Sequence, residues 1–237
     1  MASVFEVGAR ALVTGGTSGI GRAIARALAD AGCGVTVTGL DEAAVRSSDL
    51  KAMPLDVSDD VAVRGLVETF DRLDILVNSA GMILRGAAEF EPSGFAKVVD
   101  VNLTGVLRVS QACRPLLAAR RGCVLNIASV LSFFGSGQAP AYSASKGGVA
   151  QLTKSLAIAW AGEGIRVNAI APGWIATEFT RPLQEDEARS RGIVERTPLK
   201  RWGKPEDVAG AALFLCSPAA AFITGAILAV DGGYSVT

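Results

Sequence analysis

Ala9-Arg10-Ala11-Leu12-Val13-Thr14-Gly15-Gly16-Thr17-Ser18-Gly19-Ile20-Gly21 is a largely apolar run that breaks into a glycine-rich turn, after which Ile20, Ile24, Ala27, Leu28 and Ala31 recur at helical spacing. Strand, glycine turn and helix follow in that order, so the helix packs its inner face on a sheet. Backbone N–H groups and the helix dipole at such an N-terminus favour a diphosphate, and glycines let the backbone approach it without Cβ clashes. The same turn also serves where only tight strand-to-helix geometry is needed. The flanking strand and helix are what point it towards a dinucleotide. Gly15, Thr17, Ser18, Gly19, Ile20 and Gly21 are therefore candidate cofactor contacts.

The rest of the chain repeats this alternation. Strand-length apolar segments are expected at 34–38, 52–55, 75–78, 123–128, 165–170 and 226–230, with helical patterns between them. Continuous apolar strands separated by helices imply a parallel sheet covered on both faces, with right-handed crossovers. The interval between the second and third strands leaves room for a turn or two of helix. Val208 to Val230 carries no formal charge and is long enough to span a bilayer. Ser217-Pro218, however, stops a helix that begins near Pro205, and Thr224-Gly225 sets off a new run of strand length, so helix, turn and buried strand is expected. No repeat or linker interrupts the 237 residues, and a single α/β domain spanning 1–237 is expected, a doubly wound parallel sheet of about seven strands.

Lys plus Arg and Asp plus Glu number 23 each, so no net field points to nucleic acid or to an anionic membrane, and small molecules are the expected partners. Cys33, Cys113, Cys123 and Cys216 lack paired metal-ligand spacing and the chain has no histidine, which argues against a zinc or iron site. The cysteines read as small buried hydrophobes in a reducing compartment. Met1 to Arg10 lacks the basic and apolar regions of a signal peptide, and a cytoplasmic location is expected.

Without histidine, the best-placed proton-transfer group is Tyr142 in Tyr142-Ser143-Ala144-Ser145-Lys146. On a helix a spacing of four puts phenol and ammonium on one face, one turn apart. A free tyrosine has a pKa of roughly 10, but a fixed positive charge favours its ionised form, which predicts a value lowered towards neutrality and a group fit for acid/base work. The bland alternative is a lysine lying over a ring on an ordinary helix surface.

Taken together these motifs resemble the short-chain dehydrogenases and reductases in their simple single-domain branch, over almost the whole chain. Thr14 to Gly21 resembles the family's Thr-Gly-x-x-x-Gly-x-Gly turn, and Asn78-Ser79-Ala80-Gly81 is similar to its Asn-Asn-Ala-Gly, with Ser79 in place of the second asparagine. Asn102, Ser129, Tyr142 and Lys146 fall at its catalytic positions, and Pro172-Gly173, Ile175 and Thr177 resemble a cofactor-contact motif. The resemblance implies a Rossmann-type fold and hydride transfer between a nicotinamide cofactor and a secondary alcohol or ketone. Tyr142 would exchange the proton, Ser129 would bind the substrate oxygen, Lys146 would hold the nicotinamide ribose and lower the tyrosine pKa, and Asn102 would support a proton relay. Asn78, Ala80 and Gly81 would lie beside the cofactor. Without the resemblance, a serine after a strand merely caps the next turn, and an asparagine in a helix is a surface residue.

The choice of cofactor depends on the end of the second strand. Asp41 lies twenty residues after Gly21, about where a carboxylate accepts both ribose hydroxyls of NAD and repels the phosphate of NADP. The family's usual acidic position aligns better with Gly39, while Ser18 and Leu40 stand where it often places a basic residue. NAD is the expected preference over NADP, with Asp41 as a helix N-cap the alternative. Asp56-Val57 resembles the family's adenine contact, and it too could be a cap.

Substrate recognition belongs to the loops. Residues 174–203 form the longest irregular stretch, in which Trp174, Phe179 and Trp202, with Glu185 to Arg189 on a short helix, look like a lid or an oligomer contact. Gly81 to Arg85, Ser129 to Phe133 and Arg196 to Gly203 most resemble the 2-keto-3-deoxygluconate and gluconate 5-dehydrogenase members. Arg85 and Arg181 are candidate cations for an acidic substrate. The alternatives are a 3-oxoacyl thioester (acyl-carrier-protein) reductase and, from another class, a non-catalytic cofactor-binding regulator. The apolar helices near 94–119 and 142–161 suggest a homo-oligomer, a tetramer if 208–230 builds a second interface and a dimer otherwise.

Overall fold

In a computed structural model, residues 5–237 are described; the expectation for Met1 to Val4 lies outside the described residues. Strand β1 (Arg10–Thr14) runs through the glycine turn into helix α1 (Gly19–Asp30), and β2 (Gly34–Gly39) leads to the short α2 (Glu42–Arg46) and β3 (Lys51–Pro54). Helix α3 (Asp60–Val67) precedes β4 (Ile75–Asn78), and α4 (Pro92–Val99) joins α5 (Gly105–Arg120) through one π-helical turn, Asp100–Thr104. Then come β5 (Cys123–Ile127), α6 (Pro140–Trp160), β6 (Arg166–Pro172), α7 (Arg181–Gln184), α8 (Glu187–Arg196), α9 (Pro205–Cys216) and β7 (Ile227–Val230).

All strand pairings are parallel, in the order β3-β2-β1-β4-β5-β6-β7. This is the expected seven-stranded Rossmann-type sheet, with its chain order reversing between β1 and β4. Alternate residues of each strand feed opposite faces. Ala11, Val13, Val37, Val77 and Leu125 pack against Ile24 and Leu28 of α1 and Val208, Ala212 and Leu215 of α9. Leu12, Leu76, Val124 and Val167 pack against Val109, Cys113 and Leu117 of α5 and Leu156 and Trp160 of α6.

The apolar stretch 208–230 divides as expected. The Ser217 side chain accepts the Ala219 N–H and ends α9, a 3-10 turn follows, and β7 closes the sheet edge. Among the described residues no helix is long and apolar enough to cross a membrane. Two expectations need correction. The helix expected near 94–119 is interrupted at Asp100–Thr104, where Asn102 turns inward. The segment 174–203 is more regular than its composition suggests: a Thr177–Thr180 capping box sets up a 3-10 turn and α7, and Asp186, accepting the Arg189 N–H, caps α8.

Candidate active site

The glycine turn is built for close approach. Gly15 adopts φ of 64°, and a Cβ there would lie 2.8 Å from the Ala80 backbone; a Cβ on Gly21 would lie 2.3 Å from the Gly15 carbonyl oxygen. The Thr14 hydroxyl accepts the Ser79 and Ala80 N–H groups at 3.2 and 3.3 Å, locking the turn after β1 to the loop after β4. Ser18, the residue before α1, makes no side-chain cap, and the residues of that first turn, Gly19, Ile20 and Gly21, line the crevice. A bare helix start, backbone packed too closely for side chains and a cleft of about 860 Å³ together fit a dinucleotide.

That cleft opens at the carboxyl ends of the central strands. It is lined by Gly15, Ser18, Gly19, Ile20 and Gly21, by Ala80 and Gly81, by Ser129, Tyr142 and Lys146, and by Pro172, Gly173, Ile175 and Thr177. The structure thus gathers most of the expected residues into one place. Thr17, Asp41, Asp56, Val57, Asn78 and Asn102 do not line it. Thr17 packs over Gly39, whose Cβ would lie 2.4 Å from the threonine hydroxyl. Asp41 caps α2, accepting from Ala43 N–H at 2.8 Å and Ala44 N–H at 3.4 Å, so the capping alternative describes its carboxylate. Asp56 accepts from both the N–H and the hydroxyl of Ser58, while the carbonyl of Val57 accepts from Arg108. The Asn78 amide is buried, donating to Ser110 and Asn126 as a brace between β4 and β5.

Ser129, after β5, takes the capping role and also lines the cleft. Its hydroxyl accepts the Leu131 N–H at 3.1 Å, capping the turn Val130–Ser132, and also meets the Tyr142 phenol, where it favours the phenolate. Tyr142 is the third residue of α6, with Lys146 one turn below; the ammonium lies 5.7 Å from the ring centroid and donates to the Ile127 carbonyl at 2.7 Å. Burial pushes the Lys146 ammonium down to about 8. Burial also pushes the Tyr142 phenol up to about 12, with Ser129 pulling it down and Glu89 pushing it up. The expected lowering of the tyrosine by its lysine is therefore not found, because removal from water penalises the phenolate more than its neighbours favour it.

Asn102 sits in the π turn. Its amide donates to the Met82 carbonyl and to Ser145, and its oxygen accepts the Met82 N–H at 2.8 Å. It clamps the loop after β4, and a Cβ on Gly81 would meet both Asn102 and Lys146 within 4 Å. From the segment 174–203, Phe179 stacks obliquely on Tyr142 with ring centroids 6.0 Å apart, and its carbonyl accepts from Arg85. Arg181 is paired with Glu178, which removes it as a free cation, whereas Arg85 lines the cleft with no ion pair among the described residues. Sequence reasoning missed Glu89, Ser132 and Ser145. Ser132 donates to the Lys146 carbonyl and Ser145 to that of Tyr142, contacts that only the fold creates.

A family profile described as enoyl-(acyl carrier protein) reductase matches residues 15–235. A 2-dehydro-3-deoxy-D-gluconate 5-dehydrogenase of Bacillus subtilis is 44% identical over 240 residues, 96% of this chain and 94% of that protein. The chain is a short-chain dehydrogenase/reductase. A galactitol 2-dehydrogenase (L-tagatose-forming) of Cereibacter sphaeroides is 42% identical over 249 residues, covering 99% of this dehydrogenase and 98% of the relative. The solved structure of a gluconate 5-dehydrogenase from Burkholderia cenocepacia, in complex with NADP and tartrate, superposes with a TM-score of 0.91 at 37% identity, covering 99% and 98% of the two chains. This short-chain dehydrogenase/reductase is thus a nicotinamide-dependent oxidoreductase of CH–OH groups.

Gly15→Ala places a side chain on a left-handed residue against the Ala80 backbone. We expect the dissociation constants for NADP+ and NAD+ to rise by at least about tenfold in calorimetric titration, equivalent to about 1.4 kcal/mol. Unchanged affinities would contradict the close-approach account.

Proposed function

We propose that this protein is an NADP-dependent dehydrogenase of a sugar acid or related polyol, with Tyr142 as its acid/base group. The observation that carries the reading is the convergence of the Tyr142 phenol, the Ser129 hydroxyl and the buried Lys146 ammonium on one cleft that begins at the glycine turn. The glycine turn and the first N–H groups of α1 would hold the diphosphate, and Gly81, Lys146, Pro172, Gly173, Ile175 and Thr177 would surround the nicotinamide end. The bound nicotinamide supplies the acceptor or donor of the hydride.

The remaining work falls to the chain. Ser129 holds the substrate oxygen by hydrogen bonding. In oxidation the C–H bond yields its electron pair as hydride and the O–H proton passes to the Tyr142 oxygen, leaving a ketone; reduction reverses both transfers. With the phenol pushed up to about 12, the site favours the acid form that reduction needs. Lys146, still largely protonated at neutral pH, adds the charge that favours phenolate when oxidation needs it. Asn102 holds Met82 and Gly81 in place around that ammonium, and a relay role for it rests on the family resemblance.

NADP is favoured over the NAD expected from Asp41. The Asp41 carboxylate is committed to capping, and Gly39 has no room for an acidic side chain that would repel a ribose phosphate. The gluconate 5-dehydrogenase neighbour binds NADP. The acidic substrate is favoured by the relatives that act on sugar acids and by Arg85, a cleft cation with no ion pair among the described residues. A homotetramer is favoured by Leu107 and Ile158 exposed on α5 and α6, and by Phe214, Phe222 and Leu228 exposed around α9 and the edge strand β7.

The test is a turnover assay, with NADP+ and NAD+, on gluconate, galactitol and simple secondary alcohols, and in the reductive direction on 2-dehydro-3-deoxygluconate and a 3-oxoacyl thioester. Oxidation of a sugar acid or polyol, faster with NADP+ and rising with pH, is expected, and Tyr142→Phe should lose at least about 10³-fold in kcat while still binding cofactor. Turnover of the thioester alone would favour the acyl-carrier reading, and cofactor binding with no turnover would leave a regulator. Arg85→Ala should raise KM for the acidic substrate by about tenfold or more and leave a neutral polyol within about twofold; equal effects would remove Arg85 from substrate recognition. In sedimentation velocity the protein should run as a tetramer, and a monomer would refute the assembly.

A further inference from the structure

Glu89 is completely buried, in the 3-10 turn Gly86–Phe90. Its two carboxylate oxygens serve different elements: Oε1 accepts the Leu84 N–H at 3.0 Å and Oε2 accepts the Tyr142 N–H at 3.0 Å. The start of α6 explains the second bond. Ala139 occupies the capping position without a side-chain acceptor, and Pro140 has no N–H, so the N–H of Tyr142 must find its acceptor outside the helix. A carboxylate at that point also meets the positive end of the helix dipole.

The first bond reaches a second lining segment of the cleft. Leu84 and Arg85 line it together with Tyr142, at the end of the loop that Asn102 clamps at Met82. The turn that carries Glu89 is itself held fast, since a Cβ on Gly94 of α4 would lie 1.9 Å from the Ala88 carbonyl oxygen. One carboxylate therefore spans the loop facing the substrate and the first turn of the helix carrying the phenol.

We propose that Glu89 is a positioning residue, holding the substrate wall at Leu84 and Arg85 and the phenol of Tyr142 at one spacing, with a fixed negative charge between them. It rests on the reading of Tyr142 as the acid/base group. The other charged groups lining the cleft with Tyr142 are Lys146 on α6, Arg85 on the loop that leads to Glu89, and Glu178 and Arg189 of the segment 174–203, with Arg181 paired to Glu178; Lys97, the charged residue of α4, is exposed to solvent. Glu89 opposes the phenolate that Ser129 favours.

Glu89→Gln and Glu89→Asp separate charge from reach. Gln keeps the length, removes the charge and turns an N–H donor towards one of the two N–H groups; Asp keeps the charge but is one methylene too short to span them. Amide hydrogen exchange at Leu84 and Tyr142, read in the full chain without substrate, should be at least about tenfold faster in both variants. Wild-type exchange in both overturns the bridge. With the alcohol identified in the turnover assay, E89Q should move the acid limb of kcat/KM for oxidation to lower pH by about half a unit or more, since loss of a nearby negative charge favours the phenolate. E89D should leave the limb in place and raise KM by about fivefold or more. A carboxylate that served stability alone would leave the limb of folded E89Q unmoved, and that result overturns the proposal. Should E89Q fail to fold, unchanged exchange and KM in E89D overturn it equally. Loss of turnover on every substrate would count against Tyr142, while the exchange rates would still decide for or against the Glu89 bridge.

Discussion

Everything in the site depends on two backbone turns being able to touch. Where the strand order reverses, the chain leaving β1 and the chain leaving β4 approach until Gly15 meets the Ala80 backbone, and the Thr14 hydroxyl ties them by accepting two N–H groups. Any side chain at Gly15 would push the turns apart, and any at Gly21 would push the turn off the start of α1. The crevice is a consequence of this contact, since two adjacent parallel strands whose crossovers run to opposite sides leave a gap at their carboxyl ends. The positive end of the α1 dipole and the segments bearing Ser129, Tyr142 and Lys146 are then delivered to the same cleft.

Below that edge, buried polar groups set distances that apolar packing alone would leave loose. Asn78 donates to Ser110 and Asn126, and Asn126 donates to Thr153, so β4, β5, α5 and α6 share one hydrogen-bonded line. Asn102 adds a second line from the π turn to Met82 and Ser145, and Ser145 continues it to the Tyr142 carbonyl. Such networks cost stability when half satisfied and confer rigidity when complete. Arg108, bonded to Asp60, Asp100 and the Val57 carbonyl, fixes the outer side of the same π turn.

The sequence was legible wherever one residue type has one physical use. Alternating apolar runs, glycines in a strand-to-helix turn and Ser217-Pro218 as a stop led to the sheet, to the cleft and to the division of 208–230. Legibility failed where a side chain had two uses and only the fold chose between them. Asp41 could contact ribose or cap a helix, and the N–H groups of Ala43 and Ala44 took it. Asn78 sat in a cofactor motif, yet its amide went to the sheet interior. Arg181 read as a free cation until Glu178 was brought beside it. Glu89 carried no signal at all, because nothing local says that an acid between alanine and phenylalanine will be buried against a helix 53 residues away.

The proton of Tyr142 shows what this arrangement is for. A phenol beside an ammonium was expected to ionise readily, but both groups are taken from water, and desolvation moves them in opposite senses, the phenol up to about 12 and the ammonium down to about 8. Their acidities are thereby pulled apart, so the pair on its own is a phenol and an ammonium, with Glu89 adding to the bias against phenolate. A site biased this way keeps its proton until another positive charge arrives. A nicotinamide held in this cleft, as proposed above, would supply that charge in its oxidised form and lack it in its reduced form. Under the proposed reaction the same residues would then offer a base for oxidation of the alcohol and an acid for reduction of the ketone.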